Sequence, residues 1–223
     1  MRIVQNDLMK EVTELLAGLG NSLLISAIGI ALGIGIGLVL GAIRYARIPI
    51  TNIAIVGFVN AFRCTPLLVQ IFLLFYALPD IGIRLTPFET SWLALALWGG
   101  AYQTEVFRAA FEAVPKGEVT AARALGLPAF QTFLDITLPI ALRVAITGTT
   151  TTAITQFRSS SFMIVVGYQE LTYVANRIVS DTFKVFETFG IACLMYLLVC
   201  SILSALSRTF ERRLAIPGLG VVK

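Results

Sequence analysis

Residues 15–43 read LLAGLGNSLLISAIGIALGIGIGLVLGAI, a stretch with no charged side chain. A bilayer core about 30 Å thick is crossed by about 20 apolar residues in a helix, so this run is long enough to span a membrane. Gly29, Gly33, Gly37 and Gly41 recur at every fourth position within it and therefore share one helical face. Such a stripe of small residues allows a second helix to approach closely. Gly33, Gly35 and Gly37 do not make a nucleotide loop, because no strand precedes them and no Lys-Ser/Thr pair follows. Nothing elsewhere in the chain supplies a phosphate-binding loop either, so any ATP hydrolysis belongs to another polypeptide.

The same pattern extends in both directions. Of 223 residues, 57% are hydrophobic and 13% charged, and the mean hydropathy is +0.85. A soluble domain carries roughly 25% charged residues. Four further apolar runs follow the first. They lie at about residues 57–79 with Arg63, 90–111 with Glu105 and Arg108, 140–166 with Arg143 and Arg158, and Thr188 to Ser207 with no charge. The expectation is an all-α, polytopic membrane protein of about five transmembrane helices forming one domain over residues 1–223, with its termini on opposite sides. With the N-terminus outside, the inner segments hold Arg44, Arg47, Arg108, Lys116, Arg123, Arg208, Arg212, Arg213 and Lys223, and the outer ones Arg2, Lys10, Arg84, Arg177 and Lys184. Positive residues favour the cytoplasm, so this count predicts N-terminus out and C-terminus in. Asp7, Lys10, Glu11 and Glu14 precede the first run. They do not form a basic leader region with a cleavage site, so the first span is expected to stay in the mature protein.

Several chemistries are excluded or disfavoured. Histidine is absent, which removes Ser-His-Asp and Cys-His catalysis and the commonest transition-metal ligand. Cys64, Cys193 and Cys200 lie in apolar runs without metal-ligand spacing and read as small apolar side chains. The net charge of +4 is carried in short clusters between apolar runs, a pattern of membrane orientation and not of nucleic-acid binding.

A charge at the centre of a membrane helix costs about 2.5–3.5 kcal/mol and needs a partner or a wet cavity. The first and last spans carry none and can face lipid, which leaves the middle three to line a pathway. Arg63, Arg108 and Arg143 lie near span ends, where snorkelling to the interface competes with a functional role. Arg158 lies deeper, after a long uncharged stretch. Thr147, Thr149, Thr150, Thr151, Thr152 and Thr155 form a hydroxyl-rich segment, for which bonding to the carbonyl one turn back is the competing reading.

The inner segment 112–139, EAVPKGEVTAARALGLPAFQTFLDITLP, is too polar to span. Pro115, Gly117, Gly126, Pro128 and Pro139 punctuate it into a helix, a break and a second helix. Ala121, Ala122, Ala124 and Gly126 form a surface of small side chains suited to docking in a groove on a partner.

On these residues the chain resembles the permease subunits of binding-protein-dependent ABC importers, within the polar amino acid group. Thr120-Ala121-Ala122, Gly126, then Ile136, Leu138 and Pro139 match the family's Glu-Ala-Ala, Gly, Ile-x-Leu-Pro hallmark in spacing, with Thr120 in place of the usual Glu. Phe62-Arg63-Cys64-Thr65-Pro66-Leu67-Leu68-Val69-Gln70 is similar to a motif of the amino acid branch. So are Ala101-Tyr102 with Glu105 and Arg108, and Arg158-Ser159-Ser160-Ser161-Phe162 with Glu170-Leu171. The resemblance implies a type I ABC importer transmembrane domain in the bacterial inner membrane. It implies a second permease subunit, identical or paralogous, two copies of an ATPase subunit that hold ATP and magnesium, and an extracytoplasmic amino acid-binding protein. It also implies a cytoplasmic coupling helix within about residues 115–128, with Gly117, Thr120, Ala121, Ala122, Gly126 and Pro139 as coupling residues. No cofactor and no enzymatic role is expected of this chain itself.

A zwitterion in a membrane pathway needs partners for both of its charges. The middle spans offer Glu105 and Arg158, with Tyr102, Gln103, Thr151, Thr155, Ser159 and Ser160 as neutral hydrogen-bonders. Ser159 stands where the branch often has an acid, so Arg158 with Ser159 suits neutral or acidic substrates better than cationic ones. The alternative is a secondary transporter or channel without an ATPase. Such proteins often carry paired repeats, and neither five spans nor the 112–139 segment fits that scheme.

Overall fold

The computed structural model describes the backbone of residues 2–47 and 49–214 and the side chains of 9–47 and 49–212. The side chains of Arg2, Asp7 and Arg213, and all of Lys223, lie outside the described residues. Every described element is helical.

Helix α1 runs from Arg2 to Tyr45. It ends in a tight turn where Arg47 takes a left-handed backbone, φ 56°. Pro49 then opens α2 (Pro49–Cys64) at the first helical position, where a missing N–H costs nothing. Pro66 stops α2, and α3 (Leu67–Phe72) leaves at 106° to it. A π-helical turn (Leu73–Ala77) and a 3-10 turn (Leu78–Ile81) continue to Gly82, φ 86°. The span expected at 57–79 is a broken one, bent at Thr65–Pro66.

Helix α4 (Pro87–Glu112) starts in a capping box, in which the Thr86 hydroxyl accepts from the Glu89 N–H at 3.2 Å and the Glu89 carboxylate accepts from the Thr86 N–H at 2.8 Å. Helix α5 (Lys116–Ala124) follows Pro115. It closes in a Schellman motif: Gly126 N–H donates to Arg123 O at 3.0 Å and Leu127 N–H to Ala122 O at 3.2 Å. Gly126 supplies the left-handed residue that motif requires, φ 86°.

Next come α6 (Ala129–Thr132), a second π-helical turn (Phe133–Thr137), α7 (Leu138–Ser159) and a 3-10 stretch (Ser160–Val166). Together they form one continuous apolar helix from Ala129 to Val166. The span expected from residue 140 thus begins inside the segment read as a loop. Both π-helical turns lie just ahead of a proline, Pro79 and Pro139, where the wider turn relieves the ring's clash with the preceding turn. Helix α8 (Leu171–Thr182), which the sequence reading did not separate from its flanks, ends at Phe183, φ 60°, before α9 (Val185–Leu214).

Among the described residues, three helices can cross a membrane by length and composition: Met9–Tyr45, Ala129–Val166 and Val185–Arg212. The bent pair of α2 with Leu67–Ile81 makes a fourth if it counts as one span. Helix α4 does not meet that measure, and the reason is its position. It packs against α1, α2, α3 and α7, and buries Gln103, Thr104, Thr90 and Ser91 among protein instead of facing lipid.

The α1–α4 contact organises the bundle. A Cβ on Gly37 would stand 2.2 Å from Gln103 Cβ, one on Gly29 2.7 Å from Leu95 Cβ, and one on Gly41 2.9 Å from Phe107 Cβ. The glycine stripe read from the sequence is thus the surface on which α4 lies. Gln156 of α7 enters the same seam and donates to Leu95 O at 2.9 Å and Gly29 O at 3.3 Å. At the end of the bundle away from α5, Glu170 caps α8, accepting from the N–H groups of Thr172 and Tyr173 at 2.7 and 2.8 Å and from the Tyr196 hydroxyl at 3.0 Å. Burial pushes its carboxyl above the usual carboxylate range, and these three bonds act against that shift.

Candidate functional site

Helices α4 and α7 run antiparallel and carry most of the residues read as a pathway. Gln103 is fully buried and pairs twice with Thr149: its amide donates to Thr149 O at 3.3 Å, and the Thr149 hydroxyl donates back to its Oε1 at 3.1 Å. Tyr102 is half-buried, its ring centroid 4.3 Å from that of Trp98, and the Arg63 guanidinium lies 5.0 Å over its face. That is cation–π geometry, and it joins the α2–α3 elbow to α4.

Glu105 is engaged elsewhere. Its carboxylate pairs with Arg44 from the end of α1 and with Arg108 at 2.9 Å, and Arg108 also holds Glu112 at 2.7 Å. Arg44 donates further to Asn52 Oδ1 of α2 at 3.3 Å. Sequence reasoning found Glu105 and Arg108 but not Arg44 and Asn52. The signal for Arg44 was its place one residue past an uncharged run, which was read only as orientation.

Arg158 meets none of these groups. Its guanidinium donates to Thr155 at 3.4 Å, on the same helix. The Gln103–Thr149 and Leu95–Gln156 pairings set the levels of the two helices, and from them Glu105 and Arg158 stand about 17 Å apart along the axis. The structure does not bring the candidate anion and cation together within one subunit. Among the threonines, Thr150, Thr151, Thr152 and Thr155 donate to the carbonyl four residues back, and Thr149 reaches another helix. The local reading therefore accounts for four of them, although Thr151 remains exposed and Thr155 half-buried. Ser160 is fully buried and bonded to Phe157 O at 2.7 Å; Ser159 is half-exposed beside it.

The coupling candidates sit at the opposite end of α7 from Arg158. Gly117, Thr120, Ala121 and Gly126 are exposed on α5 and its cap, whereas Ala122 is 5% exposed and faces inward. Thr120 donates to Lys116 O at 2.9 Å. Leu125 and Phe130, flanking the cap, are 82% and 71% exposed, a bare apolar pair beside the small-residue surface. No group of three His, Cys, Asp or Glu side chains among the described residues stands close enough together to hold a metal ion.

A family model described as the binding-protein-dependent transport system inner membrane component matches residues 18–216. The chain belongs to that family. Among curated relatives of this membrane component, the probable glutamine ABC transporter permease GlnP of Bacillus subtilis is 33% identical over 195 residues, 86% of this chain and 89% of the relative. The glutamine transport system permease GlnP of Escherichia coli is 32% identical, covering 91% and 93%. The nopaline transport permease NocM of Agrobacterium fabrum is 31% identical, covering 86% and 84%. A solved amino acid ABC transporter, described as being with histidines, superposes with a TM-score of 0.86 at 28% identity over 93% of this chain and 97% of that one. A MetNI methionine ABC transporter chain, at 19% identity and a TM-score of 0.77, shares the fold. The membrane component is thus a multi-pass membrane protein with the type I importer transmembrane fold. Its family works with a separate ATPase, and in general with a second membrane subunit and a binding protein.

Proposed function

We propose that this chain forms the translocation pathway of an ATP-driven importer for polar amino acids in a bacterial cytoplasmic membrane. Two ATPase subunits, which hold ATP and magnesium, dock on two such membrane subunits, identical or paralogous. An external binding protein delivers the substrate, and this chain itself performs no catalysis. The observation that carries the reading is α5. It is a short helix at the end of the bundle, sharply capped at Gly126, with small side chains and the bare Leu125–Phe130 pair turned outward. ATP closes the ATPase dimer, the docked helix moves with it, and the rigid α1–α4–α7 seam rocks between two states.

The glutamine, nopaline and octopine permeases among its relatives support polar amino acids as the substrate class. The nine-to-five bias in basic residues supports α5 and the C-terminus on the cytoplasmic side and the N-terminus outside. Tyr102, Thr151, Thr155, Arg158 and Ser159 line the pathway in this reading, with Gln103 and Ser160 buried behind them. Because Glu105 is neutralised by two arginines, Arg158 is the cation available to a substrate carboxylate, which favours neutral or acidic amino acids over cationic ones. The test is gentle purification in detergent followed by mass spectrometry and reconstitution. Two ATPase copies per two membrane subunits, and ATP-dependent uptake of glutamine in preference to arginine, are expected. A chain that purifies alone and moves solute without ATP would overturn the proposal.

A further inference from the structure

Where α1 ends and α5 begins, the structure holds a pocket of about 640 Å³, which shares Thr120 with the proposed coupling surface. Tyr45, Arg47, Glu112, Lys116, Thr120 and Arg123 are among its lining residues. Lys116, Thr120 and Arg123 fall at i, i+4 and i+7, so one face of α5 looks into it. Among the described residues, none of the three cations Arg47, Lys116 and Arg123 has an ion-pair partner. The pocket's acid, Glu112, is already held by Arg108 at 2.7 Å. The site is therefore strongly and locally positive. Arg47 contributes through a left-handed backbone, φ 56°, a conformation uncommon for a side chain of its kind and found where the surroundings hold it.

We propose that this pocket binds the phosphate headgroup of an anionic membrane phospholipid. The chemistry of the lining fits a phosphodiester: two guanidiniums and an ammonium from two separate elements. Basic pockets between helices at the membrane boundary attract such headgroups. An apolar flank for the acyl chains lies beside it. Ile50 and Ile53, three and six residues past Arg47 on α2, are 85% and 76% exposed. A lipid seated there contacts the α1–α2 turn and α5 at once, and so links the bilayer surface to the helix that meets the ATPase. The inference requires that the chain spans a bilayer and is independent of which solute it moves.

The experiment uses the complete complex, reconstituted in nanodiscs of equal parts phosphatidylcholine and phosphatidylglycerol and re-extracted for native mass spectrometry. The wild type is expected to retain phosphatidylglycerol several-fold over phosphatidylcholine. The variant R47Q/K116Q/R123Q is expected to lose that preference, and R177Q/K184Q, which removes charge at the far end of the bundle, to keep it. Arg47→Gln alone lies off α5 and is expected to lower retention even if the triple variant fails to assemble. Equal retention in wild type and the Arg47→Gln and triple variants would overturn the proposal. So would retention only after the ATPase is stripped away, which would give the pocket to the ATPase. A site emptied by excess inorganic phosphate would belong to free phosphate, and that result too would overturn the lipid assignment.

Discussion

Gly37 has less room than any other position on the stripe. A Cβ there would lie 2.2 Å from Gln103 Cβ and 2.7 Å from the Gln103 carbonyl carbon, so a backbone must move. Gly35, two residues earlier on the other face, meets nothing within 4 Å. Overpacking of this kind costs about 1–3 kcal/mol. Gly37→Ala is therefore expected to lower the melting temperature of the detergent-purified complex by several degrees. Gly35→Ala is expected to leave it unchanged or raise it slightly, because alanine is the better helix former. Equal effects at both positions would mean that α1 and α4 do not meet as described. The spacing of four made this face legible in the sequence. What lies opposite was not legible, since a period names a surface and not the element that covers it. Gln156 illustrates the gap. A lone amide in an apolar helix carries no spacing signal, yet it ties α7 to both α1 and α4.

At the scale of elements, the Thr65–Pro66 break shows how a motif can be structural. Once Pro66 ends α2, the carbonyls of Phe62 and Thr65 lose their helical donors. The Gln70 amide supplies them, donating to Phe62 O at 2.9 Å, Thr65 O at 3.1 Å and Thr65 Oγ1 at 2.9 Å. A buried acceptor left without a partner costs about 1–3 kcal/mol. Gln70→Leu is expected to destabilise the complex by about 2–3 kcal/mol on that basis, read as a lower melting temperature, while Gln70→Glu cannot make the same amide bonds and gives a similar loss. Stability equal to wild type in both variants would show that water or the membrane surface already serves these carbonyls. The sequence showed Pro66 but not the 106° bend, because a single proline in an apolar run reads equally as a mild kink. The cap of α5 was more legible. Gly126 sits at φ 86° with open space around it, so Gly126→Val is opposed by backbone strain of about 1–2 kcal/mol and not by collision. It is expected to leave membrane insertion intact and reduce transport-coupled ATP hydrolysis, with Gly126→Asn milder, since asparagine tolerates the left-handed region. Full coupling in the valine variant would remove α5 from the docking role.

At the scale of the whole molecule, the Glu105 cluster decides between two ways of using charge inside a membrane protein. The carboxylate lies between Arg44 of α1 and Arg108 of its own helix, beside the Asn52 that reaches in from α2 and the Glu112 that leads to α5. A substrate ammonium would have to displace two guanidiniums, each already charge-paired, to use it. The arrangement is better suited to holding the ends of α1, α2 and α4 together next to α5, so that these elements would move as one under the proposed coupling. The sequence could name Glu105 as a charge needing a partner, but its partners come from helices far away in sequence, and only folding brings them together. The two roles separate in kinetics. Glu105→Gln leaves Arg44 and Arg108 without their shared anion, and removing one partner of a partly buried pair is costly. The expected result is a lower melting temperature and weaker substrate-stimulated ATP hydrolysis, with the apparent KM for the transported amino acid unchanged within about twofold, since uniform binding energy to the substrate is not touched. A KM raised tenfold with stability preserved would instead place the carboxylate in contact with the substrate, and the ion pairs seen here would then be the resting state of a binding group.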